Sequence, residues 1–245
     1  MNRRSQSRGA RRPIGHGWRR ALLAGSLLGS VASGLAGPGL AQAQEPCARD
    51  KAERAEARNA GHPRPVESEF IYEGQGSFGN YKIFAQGEGS KLFTSGVEYD
   101  RHSWGCLLKA RVFYVAEFLP FVLLDEPSGL NYYGVHGSKN KQLVPGVGIT
   151  PVGFRLLWRD GKTIQPYLMA KGGFLVFTQK AESPNASYEN ISLRSEIGVQ
   201  IRVTKRVDLR LGMGDSHFSN AFVVPSNPGL DVMSYMGGIV FRFKD

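Results

Sequence analysis

Metal-binding spacings are missing from this sequence. Its 245 residues include two cysteines and five histidines. There is no Cys-x-x-Cys, no His-Glu-x-x-His and no Cys/His cluster, so neither a metal nor another cofactor is expected. No segment keeps a long helical period, and the apolar stretch at 21–35 is too short for a spanning helix. Glycine is abundant, 31 of 245 residues, against a usual share of ~7%. It follows no G-X-Y period, which excludes collagen. Gly161-Lys162-Thr163 imitates the end of a phosphate-binding loop, but Leu156 stands where glycine is needed and no helical pattern follows.

Acidic residues are absent from 1–43, which instead hold seven arginines. The whole chain carries a formal +10; without this segment the remaining 202 residues carry +3. The basic charge therefore belongs to the amino terminus, and no nucleic-acid partner is expected. An Arg-rich start, the short apolar stretch and Ala41-Gln42-Ala43 read as an export signal with cleavage near Ala43, so the exported chain begins at Gln44. Arg19-Arg20 is a weak twin-arginine feature. Cys47 follows Gln44-Glu45-Pro46, not small lipobox residues, so lipidation is not expected. In an exported protein Cys47 and Cys106 are free to form a disulfide; two free thiols are the alternative. His62, His102 and His136 stand alone and are expected on the surface.

Residues 44–66 are charged and alanine-rich, a short exposed helix or a flexible extension ended by Pro63 and Pro65. From 67 to 245 the period becomes 2. In 189–203 the odd positions read Ile191, Leu193, Ser195, Ile197, Val199, Ile201 and Val203, while the even positions include Arg194, Glu196, Gln200 and Arg202. Eight strands are expected, at 67–78, 91–102, 105–119, 143–158, 163–178, 187–203, 206–219 and 230–243. They exceed the usual five or six residues of soluble sheets. Short connections (103–104, 159–162, 204–205) alternate with longer ones (79–90, 120–142, 179–186, 220–229). That pattern fits an all-β, eight-stranded, antiparallel up-and-down transmembrane barrel in the bacterial outer membrane. Its outside would be apolar. Glu73, Glu98, Lys109, Arg111, Glu117, Arg194, Glu196, Arg202 and Arg210 would form an ionic interior. A soluble barrel with the faces reversed is the alternative. The aromatic final strand, Ile239-Val240-Phe241-Arg242-Phe243, supports the membrane reading, although Lys244-Asp245 extend beyond the usual terminal aromatic.

His217 and Ser219 share the lipid-side parity of strand seven, so their side chains point the same way. Asp231 shares that parity on strand eight. A hairpin pairing 217 with 231 would align Ser219, His217 and Asp231 as nucleophile, base and orienting acid. His-x-Ser by itself is commonly accidental, and polar groups at the outer rim could simply occupy the headgroup zone. On spacing alone both readings stay open.

The stretch His217-Phe218-Ser219-Asn220-Ala221, then Asn227-Pro228-Gly229, then Phe241-Arg242-Phe243 resembles the PagL-type lipid A 3-O-deacylases, also called acyloxyacyl hydrolases. A weaker likeness covers 147–177, including Gln165-Pro166-Tyr167 and Gly172-Gly173. The resemblance implies an eight-stranded outer-membrane barrel that removes the ester-linked acyl chain at the 3-position of lipid A. Lipopolysaccharide of the outer leaflet would be its partner. It implies Ser219 as nucleophile, His217 as base and Asp231 as the acid, where the family has glutamate. It also implies Asn227 and the Asn220 N–H as oxyanion donors. Phe222 stands where the family often has glycine. A non-catalytic structural or adhesive barrel is the alternative function. The oligomeric state is not legible.

Overall fold

The computed structural model describes residues 44–61 and 66–244. Residues 1–43, expected to be an export signal, and His62 lie outside them. Helix α1 (Gln44–Ala60) precedes eight strands: β1 (Glu67–Asn80), β2 (Lys91–Leu107), β3 (Ala110–Pro127), β4 (Lys141–Leu157), β5 (Ile164–Phe177), β6 (Glu189–Arg202), β7 (Val207–Ser219) and β8 (Leu230–Lys244). Each strand pairs antiparallel with the next, and β8 closes on β1 to form a barrel. Closure leaves no unpaired edge, which a sheet in lipid requires.

The burial pattern decides which face is which. Phe70, Tyr72, Val97, Phe118, Ile149, Phe174, Leu193, Ile197, Leu211, Tyr235 and Phe241 are exposed on the outside. Their strand neighbours Glu69, Glu73, Glu98, Asp100, Glu117, Arg155, Lys171, Arg194, Glu196 and Arg210 are buried inside. A water-soluble barrel would have the opposite arrangement, so this is a transmembrane barrel.

The interior charges compensate one another. Lys171 Nζ lies 2.8 Å from Glu73, 2.6 Å from Glu98 and 3.2 Å from Glu117. Arg210 pairs with Glu98, and with Asp100 at 2.9 Å. Arg155 pairs with Glu69, and with Asp100 at 2.8 Å. A charge isolated there would be very costly, whereas paired and hydrogen-bonded charges are tolerated. Above this layer, at the loop end, Leu92, Leu119, Val122, Leu124, Val144, Leu175, Phe177, Phe218, Leu230 and Val232 form an apolar plug.

Several strand limits differ from expectation. The β2–β3 turn falls at Leu108 and Lys109, both at positive φ (50° and 63°), not at 103–104. Residues 103–105 lie instead in an irregular stretch of β2, where the register shifts between His102 and Cys106. Lys109 is therefore exposed on the turn rather than inside. Arg202, also expected inside, is only partly buried, its Nη1 donating to the Gly161 carbonyl at 3.0 Å. β3 continues eight residues beyond the expected 119 because β4 pairs with it as far as Pro127.

At the short-turn end, Cys47 of α1 and Cys106 of β2 are bonded, with Cα atoms 5.9 Å apart. His102 is buried there, not on the surface. Its Nδ1 lies 3.6 Å from Asp50 of α1, and its Nε2 bonds with the Gly105 carbonyl at 3.1 Å. His136 is exposed in the β3–β4 loop.

Candidate active site

The loop ends of β7 and β8 carry the three residues that parity places on one face. Phe218 alternates inward, is 1% exposed and packs on Phe177 at 5.4 Å between ring centroids. Anchoring Phe218 turns its neighbours His217 and Ser219 outward. The register pairs His217 directly with Asp231. The His217 ring then spans both partners. Its Nε2 is 3.2 Å from Ser219 Oγ and its Nδ1 is 2.6 Å from Asp231 Oδ1. A hydroxyl, an imidazole and a carboxylate are thus joined in one hydrogen-bonded line, the arrangement that activates a serine.

Asp231 is fully buried although it lies on the outward parity. The β1–β2 loop covers it. The N–H groups of Ile83, Phe84 and Ala85 donate to Asp231 Oδ2 at 2.9, 2.8 and 3.0 Å. With Oδ2 taken, Oδ1 faces the histidine. The Phe84 ring stands edge-on to His217, 5.8 Å between centroids. The sequence reading missed this loop, because residues 81–87 have no period; two large apolar residues in succession, Ile83-Phe84, were its only signal.

The two asparagines are in contact with each other. The Asn220 N–H donates to Asn227 Oδ1 at 2.8 Å. It is therefore engaged and not free as an oxyanion donor, which corrects the expectation for that group. Since the N–H requires an oxygen, the contact also fixes the flip of the Asn227 amide and leaves Nδ2 as its donor. The Asn220 side chain is turned inward, its Nδ2 donating to the Ser226 carbonyl at 2.7 Å. Beyond Asn220 the chain makes a tight reversal in which Val223 N–H bonds to Asn220 O at 3.0 Å. Ala221 and Phe222 sit at its centre with φ of 50° and 60°. A turn with positive φ at both central residues ordinarily takes glycine or asparagine. A phenylalanine there marks stored strain beside the site.

Ser219, His217 and Asn227 open into a cleft of about 420 Å³ whose remaining wall includes Phe84, Tyr132, Tyr133, Phe222 and Pro228. A cleft of this size, largely aromatic with a few convergent polar groups, suits an apolar chain with one polar linkage.

Residues 119–239 match the family model for PagL, lipid A 3-O-deacylase. That segment belongs to the PagL family. It runs from β3 into β8 and contains Ser219, His217, Asp231, Asn220 and Asn227. Among curated proteins none matches the chain. Among solved structures, the outer membrane enzyme PagL is 14% identical, covering 70% of this chain and 97% of its own, with a TM-score of 0.47. The outer membrane protein OprG from Pseudomonas aeruginosa is 12% identical over 73% of this chain and 97% of its own, TM-score 0.43. Neisserial surface protein A is 14% identical over 73% and 96%, TM-score 0.39.

Among the described residues, one other cluster could be mistaken for a metal centre. Ligand atoms of Glu73, Glu98 and Glu117 lie within 4.8 Å of one another. The Lys171 ammonium bonds to all three carboxylates. A cation is thus already supplied by the chain, and the cluster belongs to the interior ion-pair layer.

Proposed function

We propose that this protein is an outer-membrane esterase that removes the 3-position acyl chain of lipid A, with Ser219 as nucleophile, His217 as general base and Asp231 as orienting acid. The observation that carries the reading is the continuous line from Ser219 Oγ through His217 to Asp231 Oδ1, open to an apolar cleft on the barrel's outer face. In that reading the loop end faces the cell exterior and the leader at 1–43 is removed on export.

His217 Nε2 takes the Ser219 proton as Oγ attacks the ester carbonyl. Asp231 holds Nδ1 as the protonated nitrogen and stabilises the imidazolium that forms. Asn227 Nδ2 donates to the developing oxyanion. The protonated His217 then gives its proton to the leaving 3-hydroxyl of the sugar, which leaves Ser219 acylated. Water, deprotonated by His217, attacks the acyl-enzyme and releases the fatty acid. The aromatic wall of the cleft would hold the chain while the barrel's lipid belt keeps the enzyme in the layer that holds its substrate.

Expression in a host of known lipid A, followed by mass spectrometry of that lipid, tests the reading. The loss of one hydroxy-fatty acyl group is expected. Unchanged lipid A with correctly assembled barrel would favour a non-catalytic structural or adhesive barrel instead.

A further inference from the structure

We propose that the β1–β2 loop segment 81–87 is a positioning element of the site, whose backbone N–H groups aim Asp231 at His217. The inference rests on the esterase reading and adds to it a part of the chain far from β7 and β8. An aspartate in a strand can rotate about two side-chain bonds, and only some orientations put one oxygen on the imidazole. Here Oδ2 receives three donors from consecutive residues, Ile83, Phe84 and Ala85. That leaves Oδ1 in one place, 2.6 Å from Nδ1. Carboxylates held by several backbone N–H groups are held firmly, because each bond to a charged acceptor is stronger than a neutral one.

The segment is itself fixed to the strand it serves. Tyr81 N–H donates to the Asp231 carbonyl at 3.2 Å, Gln86 N–H to Pro228 O at 2.7 Å, and Gly87 N–H to Gly229 O at 3.2 Å. At Gly87 the fit is tight: a Cβ would lie 2.5 Å from both the Gly229 carbonyl oxygen and a Glu182 carboxylate oxygen. The backbone thus comes as near as a glycine permits. Meanwhile the Ile83 and Phe84 side chains point away, 70% and 77% exposed. The loop meets Asp231 with its backbone alone, so that contact places no demand on the side chains at 83 and 84. This explains why sequence inspection does not find it.

Proline at 84 deletes one of the three donors. The experiment compares Phe84→Pro with Phe84→Ala, which loses the same ring but keeps the N–H, in purified full-length protein acting on lipid A in detergent micelles. The comparison is then repeated with Asp231→Asn present. Heat-modifiable gel migration establishes assembly of each variant. In the Asp231 protein, Phe84→Pro is expected to lower kcat about tenfold or more below Phe84→Ala with KM little changed, as loss of one bond to a charged group implies. In the Asp231→Asn background the two variants should agree within about twofold. Equal kcat in the Asp231 protein, or the same drop in both backgrounds, would overturn the inference. The pair Ile83→Pro and Ile83→Ala repeats the test if assembly fails at 84. A parent barrel that leaves lipid A intact would overturn the esterase reading and this inference with it. An active parent without coupling would overturn the inference alone.

Discussion

The Asn220 backbone N–H and the Asn227 side-chain oxygen are joined at 2.8 Å across the β7–β8 loop. The bond closes a small ring of chain beside Ser219 and turns the Asn227 amide nitrogen into the available donor.

Asn227→Asp keeps the oxygen that Asn220 needs but deletes the NH₂ and adds negative charge. The variant should assemble normally. Its kcat should fall by about 10²–10³, the usual effect of losing one oxyanion donor. Steady-state kinetics on assembled protein checks this. A change confined to KM would remove Asn227 from that role.

Asp231→Glu, which restores the acid the family uses, should lose activity rather than gain it. Asp231 is fully buried, with Oδ2 held by three N–H groups. An extra methylene must either break those bonds or drive the carboxylate into His217, and overpacking of such a niche costs about 1–3 kcal/mol. Activity equal to the parent would show that the loop adapts.

Glu182, in the β5–β6 loop, predicts a pH response of the outer loops. Burial foremost, with Glu126 nearby, pushes its carboxyl from 4.5 up to about 8; the Lys141 ammonium opposes this. The folded loops therefore bind the proton more tightly than the opened ones. Loop stability is fully present below about 4.5, falls as pH rises from there to about 8, and levels off above. Hydrogen-exchange protection of the loops, taken relative to the base-catalysed intrinsic rate, should fall as pH rises between these limits, and Glu182→Gln should flatten the slope. Because Glu182 abuts Gly87, deacylation should weaken in the same direction. A slope unchanged in Glu182→Gln would assign it to another group.

The barrel was largely legible because lipid outside and ion pairs inside impose a strict two-residue alternation, visible at 91–101 and 189–203. The His217–Asp231 pairing was legible for the same reason, since register and parity are both sequence properties of a hairpin. Positions where the period breaks were not legible. The irregular stretch after His102 displaced the expected β2–β3 turn, put Lys109 outside and hid His102 behind α1. Arg155 and Lys171 were missed because β4 and β5 carry glycines and prolines that interrupt the alternation. The loop at 83–85 acts through its backbone, which leaves no residue-type signature.

The Cys47–Cys106 link closes a span of 59 residues, worth up to ~4 kcal/mol in the chain-entropy model. Alkylation followed by mass spectrometry of purified protein should find no free thiol. Cys106→Ser should loosen α1, monitored by proteolysis at 44–60, while lipid A deacylation at the other end of the barrel is unaffected. Two alkylated cysteines in unreduced protein would refute the link.

The most direct measurement is lipid A mass spectrometry of one host expressing the parent or Ser219→Ala. Ser219 lies outside the packed interior, so the change opens no core cavity and the variant should migrate on gels like the parent. The parent should remove one hydroxy-fatty acyl group, and Ser219→Ala, assembled to the same level, should leave lipid A intact. Full deacylation by assembled Ser219→Ala would contradict the serine mechanism.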